Sequence, residues 1–195
     1  MEKITKNITN WLIENGAIED SDVELYEYAI YSMIITISPL LLVLFIGIGM
    51  GTALEGVIMI LQFMCIRKFS GGYHAKNSGV CLISSCIILV FCMWLATCVE
   101  YGSWVTVGTT VCVLSLCVNS PIDSENKRLE QSEKAQYKKI TIGLSSVFYV
   151  IHCICVCTGF RKIATCLAIG VCLTASLQLP CLFQLYSESE KGTAE

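Results

Sequence analysis

A histidine and a cysteine that lie seven positions apart are residue types that can act as a base and a nucleophile. The stretch RKFSGGYHAKNSGVC, from Arg67 to Cys81, holds His74, one of two histidines in the chain. Cysteine attacks a carbonyl carbon as the thiolate, and a nearby histidine or a helix N-terminus favours that form. Gly71 and Gly72 allow backbone geometries closed to other residues, and would let a peptide substrate approach closely.

The spacing alone leaves this catalytic pair open, because the chain has thirteen cysteines and the pairing can be coincidental. Gly79 breaks the loop and Val80 opens an apolar run, so Cys81 is expected in the first turn of a helix. Unpaired N–H groups there favour an anion and are placed to stabilise an oxyanion. A third, orienting group is not indicated, and three candidates stay open: Asn77, Ser78 and Asp123.

The composition is that of a membrane protein. Hydrophobic residues make up 54% of the chain and charged residues 15%, below the usual quarter. Six apolar runs approach the roughly 20 residues that cross a bilayer. We therefore predict an all-α, polytopic membrane protein with about six transmembrane helices, of which the short second or fourth is a candidate re-entrant segment. The runs are Tyr31–Met50, Thr52–Ile66, Val80–Cys98, Trp104–Val118, Ile140–Thr158 and Ile163–Leu185.

The N-terminal segment shows helical periodicity and no cleavable signal peptide. Apolar residues recur at helical spacing, at Ile4, Ile8, Trp11 and Leu12. This pattern predicts an amphipathic helix that either lies on the membrane surface or packs on the protein's own loops. We expect one membrane-embedded domain over residues 1–195, with an interfacial segment (1–28), a transmembrane core (31–185) and a flexible tail (186–195).

The lysines and arginines predict the orientation. With six spans and a cytoplasmic N-terminus, eleven of the thirteen fall in cytoplasmic segments, and only Arg161 and Lys162 lie outside. This bias follows the positive-inside rule. Both termini and the stretch from Arg67 to Cys81 are therefore predicted to be cytoplasmic. Glu55, the acidic residue inside a predicted span, is expected near the headgroups at the outer end.

The cysteines do not form a recognisable redox or metal motif. No CxxC pair occurs. In the run from Cys153 to Cys157, Cys155 points away from the other two on a helix, and His152 does not align with them. We expect these residues to pack, and we expect no metal, cofactor or nucleic-acid partner.

Two motifs resemble the accessory gene regulator B (AgrB) family. The first is R-x-x-x-G-G-Y-H-A, from Arg67, followed by Cys81. The second is Ser120-Pro121-Ile122-Asp123 followed by Asn126-Lys127-Arg128-Leu129, which resembles the family's A-P-x-D and N-[KR]-P-L. This chain departs from that pattern with Ser120 for alanine and Arg128 for proline.

The resemblance implies a membrane cysteine endopeptidase of Gram-positive bacteria that processes a quorum-sensing propeptide of the AgrD type. His74 carries over as general base and Cys81 as nucleophile. The implied product is a cyclic thiolactone, formed through a thioester on Cys81 after release of a C-terminal tail. The implied location is the bacterial cell membrane, multi-pass, with the active site on the cytoplasmic side, and a homodimer is a reasonable expectation.

Further residues are candidates for binding the propeptide at the lipid bilayer. They are Arg67, Gly71, Gly72, Lys127, Lys138 and Lys139. The lysines lie in the polar segment Asn119–Lys139, which either holds an acidic propeptide tail or is a plain solvated loop. Two rival functions stay open: a membrane peptide transporter or non-catalytic peptide-binding partner, and a purely structural membrane protein.

Overall fold

The computed structural model describes residues 2–72, 78–122 and 130–183, and their regular elements are helical. The predicted all-α class is confirmed for these residues. A short 3-10 turn, Asp20–Asp22, lies between the first two of seven α-helices. They are α1 (Glu2–Glu14), α2 (Val23–Met50), α3 (Ala53–Ser70), α4 (Ser78–Cys98), α5 (Ser103–Asn119), α6 (Gln131–Cys157) and α7 (Arg161–Ser176).

Most helix boundaries follow the apolar runs, but α6 begins at Gln131 rather than at Ile140. A capping box between Glu130 and Glu133 satisfies the first free N–H groups and starts the helix in the polar segment. The interpretation of Asn119–Lys139 as a loop is therefore wrong for residues 131–139. An apolar run marks where a helix can meet lipid, and the helix itself continues beyond it.

Three helices are long and apolar enough to cross a bilayer: Val23–Met50, Gln131–Cys157, and α7 with its continuation, Arg161–Phe183. Two shorter apolar helices, Ile83–Cys98 and Ser103–Asn119, accompany them. These helices are those of a membrane protein. The count of six spans and the cytoplasmic position of both termini stay predictions.

The chain forms two compact units, Met1–Leu42 and Val43–Glu195. In the first unit, α1 is the predicted N-terminal helix. Its apolar side chains Ile4 and Trp11 are 56% and 60% exposed, whereas Thr5 and Thr9 are buried. This exposure favours a helix that offers its apolar face to a membrane surface. That the two units form one domain stays a prediction.

In the second unit, α7 is the central helix and packs against α3, α4, α5 and α6. Small side chains let the other helices approach it closely. At Gly170, an added Cβ would lie 3.1 Å from Oε1 of Gln62 and 3.2 Å from the carbonyl oxygen of Met59. The Gln62 amide in turn donates a hydrogen bond to the carbonyl of Leu167, at 3.1 Å. A methyl group at Gly170 would therefore press on both atoms, and the α3–α7 seam would have to shift by a few tenths of an ångström.

The outward faces of the bundle are apolar, as α5 illustrates. Its inward residues are buried: Val105, Thr109, Val113 and Leu116. Its exposed residues beyond Ser103 are large and apolar: Trp104, Val107, Val111, Leu114 and Val118. A stripe of this kind along a whole helix is a surface for lipid rather than for water.

His152 lies buried inside the bundle. Its Nδ1 donates to the carbonyl of Ala164, at 2.9 Å, and its Nε2 lies 3.2 Å from the hydroxyl of Thr106. Tyr149 stacks on the ring, with the centroids 6.2 Å apart. Both ring nitrogens are therefore engaged in joining α6 to α5 and α7.

Gly170→Ala should lower the stability of the bundle by about 1–3 kcal/mol, because the new methyl group overpacks the α3–α7 seam. Gly143→Ala is the matched control, since a Cβ at Gly143 on α6 meets nothing within 4 Å. The apparent thermal midpoint of each purified variant in detergent, followed by fluorescence-detected size exclusion, measures the difference. Equal midpoints for both variants would contradict the close contact at Gly170.

Candidate active site

The two sequence motifs meet at one end of the bundle. The first begins in the last turn of α3 and continues past its end, and the second follows the end of α5. Gly71 and Ile122 form an isolated parallel bridge, and the N–H of Ile122 donates to the carbonyl of Ser70, at 3.0 Å. Segments some 50 residues apart in the chain are thus joined directly by their backbones.

Gly71 and Gly72 are required by this junction. Their φ angles are +68° and +123°, in the region that side-chain-bearing residues rarely adopt. A Cβ at Gly71 would collide with the carbonyl of Ile122. A Cβ at Gly72 would collide with the Arg67 guanidinium and lie 3.0 Å from the carbonyl oxygen of Leu177. Close packing therefore explains why both positions are glycine. Their contact with a substrate stays a prediction.

Arg67, in the last turn of α3, is folded back onto this junction. Its Nη1 donates a hydrogen bond to the carbonyl of Gly71. Burial lowers the pKa of Arg67, whereas the thiols of Cys181 and Cys81 act in the opposite direction through their charge. The guanidinium therefore lies within electrostatic reach of both cysteines.

Cys81 is the fourth residue of α4, which begins at Ser78. The sequence predicts this position in the first turn. Its thiol is free and half-buried. Its backbone N–H is one of the first four of the helix, which have no partner within the helix itself. A partly exposed thiol in the first turn of a helix is a position in which reactive cysteines occur.

Gln178 is the residue that sequence reasoning missed. It is 0% exposed, and its Nε2 donates to the carbonyl of Ser70, at 3.0 Å, and to the hydroxyl of Ser120, at 2.9 Å. One side-chain amide thus joins the ends of α3 and α5 to the segment that follows α7. The available signal was a glutamine inside a long apolar run, since polar groups in membrane helices commonly hydrogen-bond between helices.

Several predicted site residues lie outside the described part of the chain: His74, Lys127, Asn77 and Asp123. Lys138 and Lys139 are exposed on α6. The Lys138 ammonium lies 3.5 Å from the carbonyl of Val118, at the end of α5. The rings of Tyr137 and Phe69 meet edge to face, with their centroids 5.6 Å apart. These contacts place both lysines at the same end of the bundle as Cys81.

Gln178→Leu should destabilise the junction by about 1–3 kcal/mol, because the Ser70 carbonyl and the Ser120 hydroxyl each lose a donor. Ser120→Ala leaves the Gln178–Ser70 bond in place and should cost less. Thermal midpoints of the two single variants and the double variant complete a double-mutant cycle. Fully additive losses would show that Gln178 and Ser120 do not act together.

The chain is similar to proteins of the family that the two motifs resemble. The family model for accessory gene regulator B matches residues 5–182. An AgrB-like protein of Clostridium perfringens (strain SM101) is 25% identical over 161 residues, which cover 78% of this chain and 75% of that protein. An AgrB-like protein of Listeria monocytogenes (serotype 4a) is 24% identical over 147 residues, which cover 74% and 70%.

No solved structure matches the chain. The family model, by contrast, covers both motifs, the junction between them, Cys81 and Gln178. The chain therefore belongs to the accessory gene regulator B family.

Proposed function

We propose that this protein is a membrane cysteine endopeptidase that removes the C-terminal tail of an AgrD-type propeptide and promotes its cyclisation to a thiolactone. Membership of the family supports a role in the agr quorum-sensing system. The observation that carries the finer proposal is the setting of Cys81. Its partly exposed thiol lies in the first turn of α4, where the helix offers free N–H donors to an anion.

In the first step, His74 takes the proton of the Cys81 thiol, and the sulfur attacks the carbonyl carbon of the scissile peptide bond. The free N–H groups at the start of α4 stabilise the oxyanion that forms. The C–N bond then breaks, His74 returns the proton to the leaving amine, and the tail departs. The remaining peptide is held as a thioester on Cys81.

In the second step, an internal cysteine of the propeptide attacks this thioester. One C–S bond forms and one breaks, so the product is a thiolactone and the Cys81 thiol is regenerated. Exchange of one thioester for another changes the acyl free energy little and needs no ATP. Water competes for the same acyl group, so a site at the membrane interface, with restricted water, favours cyclisation over hydrolysis.

Arg67 contributes a fixed positive charge. Arg67 cannot lose its proton under physiological conditions. Its hydrogen bond to the Gly71 carbonyl ties this charge to the junction between the two motifs. In the proposed mechanism, the charge favours the oxyanion that forms when Cys81 attacks.

Cys81→Ala and His74→Ala should each abolish release of the propeptide tail, because one removes the nucleophile and the other its base. The measurement is co-expression with candidate AgrD-type propeptides, with the released tail detected by mass spectrometry. Cys81→Ser should retain little activity, since a serine hydroxyl is a much weaker nucleophile without a matched base.

Cys181→Ala is the matched control, because Cys181 also lies within electrostatic reach of Arg67. It should leave tail release intact. Continued cleavage by Cys81→Ala would exclude Cys81 as the nucleophile, and loss of cleavage only with Cys181→Ala would transfer the role to that residue. Absence of any cleaved tail with the native chain would favour a peptide-binding or transport function.

We further propose that Lys138 and Lys139 attract the acidic tail of the propeptide to the site. The double variant Lys138→Gln/Lys139→Gln should slow tail release about fivefold at low salt, because exposed pairs contribute up to about 1 kcal/mol and are screened by salt. Arg161→Gln/Lys162→Gln removes the same charge from the far end of α7 and is the control. Equal processing rates in the two double variants would exclude this attraction, as would an effect that persists with an uncharged tail.

A further inference from the structure

A cavity lies at the end of the bundle opposite to Cys81. It has a volume of about 230 Å³, and its lining includes Thr52, Glu55, Gly56, Met93, Lys162 and Cys166. Thr97, near the end of α4, also lines it. Sixteen positions separate Thr97 from Cys81 along this helix, a rise of about 24 Å. The cavity is therefore separate from the candidate active site, and the proposed peptidase function does not use it.

Opposite charges face this cavity without neutralising one another. Glu55 lies in the first turn of α3 and Lys162 in the first turn of α7, and within the described part of the chain they form no ion pair with each other. The hydroxyl oxygen of Thr52 is buried there and has no hydrogen-bond partner among the described residues. A carboxylate, an ammonium and a hydroxyl around one space match a ligand that carries both signs of charge.

The cavity has a closed floor and an open mouth. Gly56, Met93 and Cys166 are buried, whereas Thr97 and Lys162 are exposed. An added Cβ at Gly56 would lie 2.7 Å from the Met93 sulfur, so the floor is tightly packed. The volume is several times that of a water molecule. A small organic headgroup therefore fits the space, and it enters at the mouth.

Exposed aromatic side chains mark the depth of this end in the membrane. Trp94 lies one turn before the end of α4, Trp104 is at the start of α5, and Phe160 immediately precedes α7. Tryptophan rings concentrate at the level of the lipid headgroups. The mouth of the cavity therefore opens at headgroup depth, where a lipid is the ligand at highest local concentration.

We propose that this cavity binds the zwitterionic headgroup of a membrane lipid that carries a primary ammonium and a phosphate, as phosphatidylethanolamine does. Glu55 accepts hydrogen bonds from the ammonium, Lys162 pairs with the phosphate, and Thr52 adds one hydrogen bond. Phosphatidylglycerol has no ammonium for Glu55. Phosphatidylcholine has a quaternary ammonium that cannot donate a hydrogen bond. The cavity should therefore prefer phosphatidylethanolamine to both.

The test is native mass spectrometry of the full-length protein in detergent, titrated separately with phosphatidylethanolamine and phosphatidylglycerol. Glu55→Gln should lower the affinity for phosphatidylethanolamine about tenfold, the loss expected for one charge-assisted hydrogen bond. It should leave phosphatidylglycerol binding unchanged. Glu100→Gln is the matched control, because it removes an exposed carboxylate at the same end that does not line the cavity.

Lys162→Gln should weaken both lipids, since both carry the phosphate, and Arg161→Gln should weaken neither. An unchanged preference in Glu55→Gln, or an equal loss in Glu100→Gln, overturns the proposal. Competition by soluble phosphoethanolamine at the concentrations at which the lipid binds overturns the assignment to a lipid. If Glu55→Gln fails to give a folded size-exclusion peak, Glu55→Asp replaces it. The shorter side chain moves the carboxylate away from the ammonium, so this variant should also reduce the preference for phosphatidylethanolamine.

Discussion

The carbonyl group of Ser70 is the point on which the candidate active site depends. It accepts a hydrogen bond from the Gln178 amide and another from the N–H of Ile122. Both lone pairs are thus used, in surroundings where Gln178 has no access to water. A buried polar group without a partner costs several times what a satisfied bond contributes, so these three segments favour one arrangement. That arrangement also brings Gly71 to its bridge with Ile122. The Arg67 side chain can then fold back onto the Gly71 carbonyl.

The same central helix serves both ends of the bundle. The α7 helix begins beside the charged cavity at Lys162 and leads through its small residues to Gln178. Gly170 lets α3 lie against it closely enough for Gln62 to bond to Leu167. Because a membrane interior supplies no hydrophobic driving force between helices, such close contacts and interhelical hydrogen bonds must hold the bundle. The positions of Glu55 and Ser70, near the two ends of α3, are therefore set by one packed seam.

Local sequence patterns predicted the helices and the position of Cys81 in α4. They did not predict the junction between the two motifs. A bilayer requires satisfied backbones and apolar side chains, so the apolar runs predicted α3, α4 and α5 closely. The start of α6 was missed because its capping box lies in polar sequence. The partners of Gln178 could not be predicted from the sequence for another reason. Ser70 and Ser120 lie 108 and 58 residues from it, and no periodicity encodes such pairs. The family has alanine where this chain has Ser120. The Ser120 hydroxyl accepts a hydrogen bond from Gln178, and an alanine side chain has no acceptor for it.

Two cysteines lie near the Arg67 guanidinium, and the helices distinguish them. Cys81 is in the first turn of α4, where free N–H groups point toward an incoming anion. Cys181 lies inside the helical stretch Arg161–Phe183 that continues α7. The proposed role of Cys81 as nucleophile therefore draws on two features of its position. Its thiol is partly exposed, and the N–H groups beside it are placed to stabilise the oxyanion that attack forms.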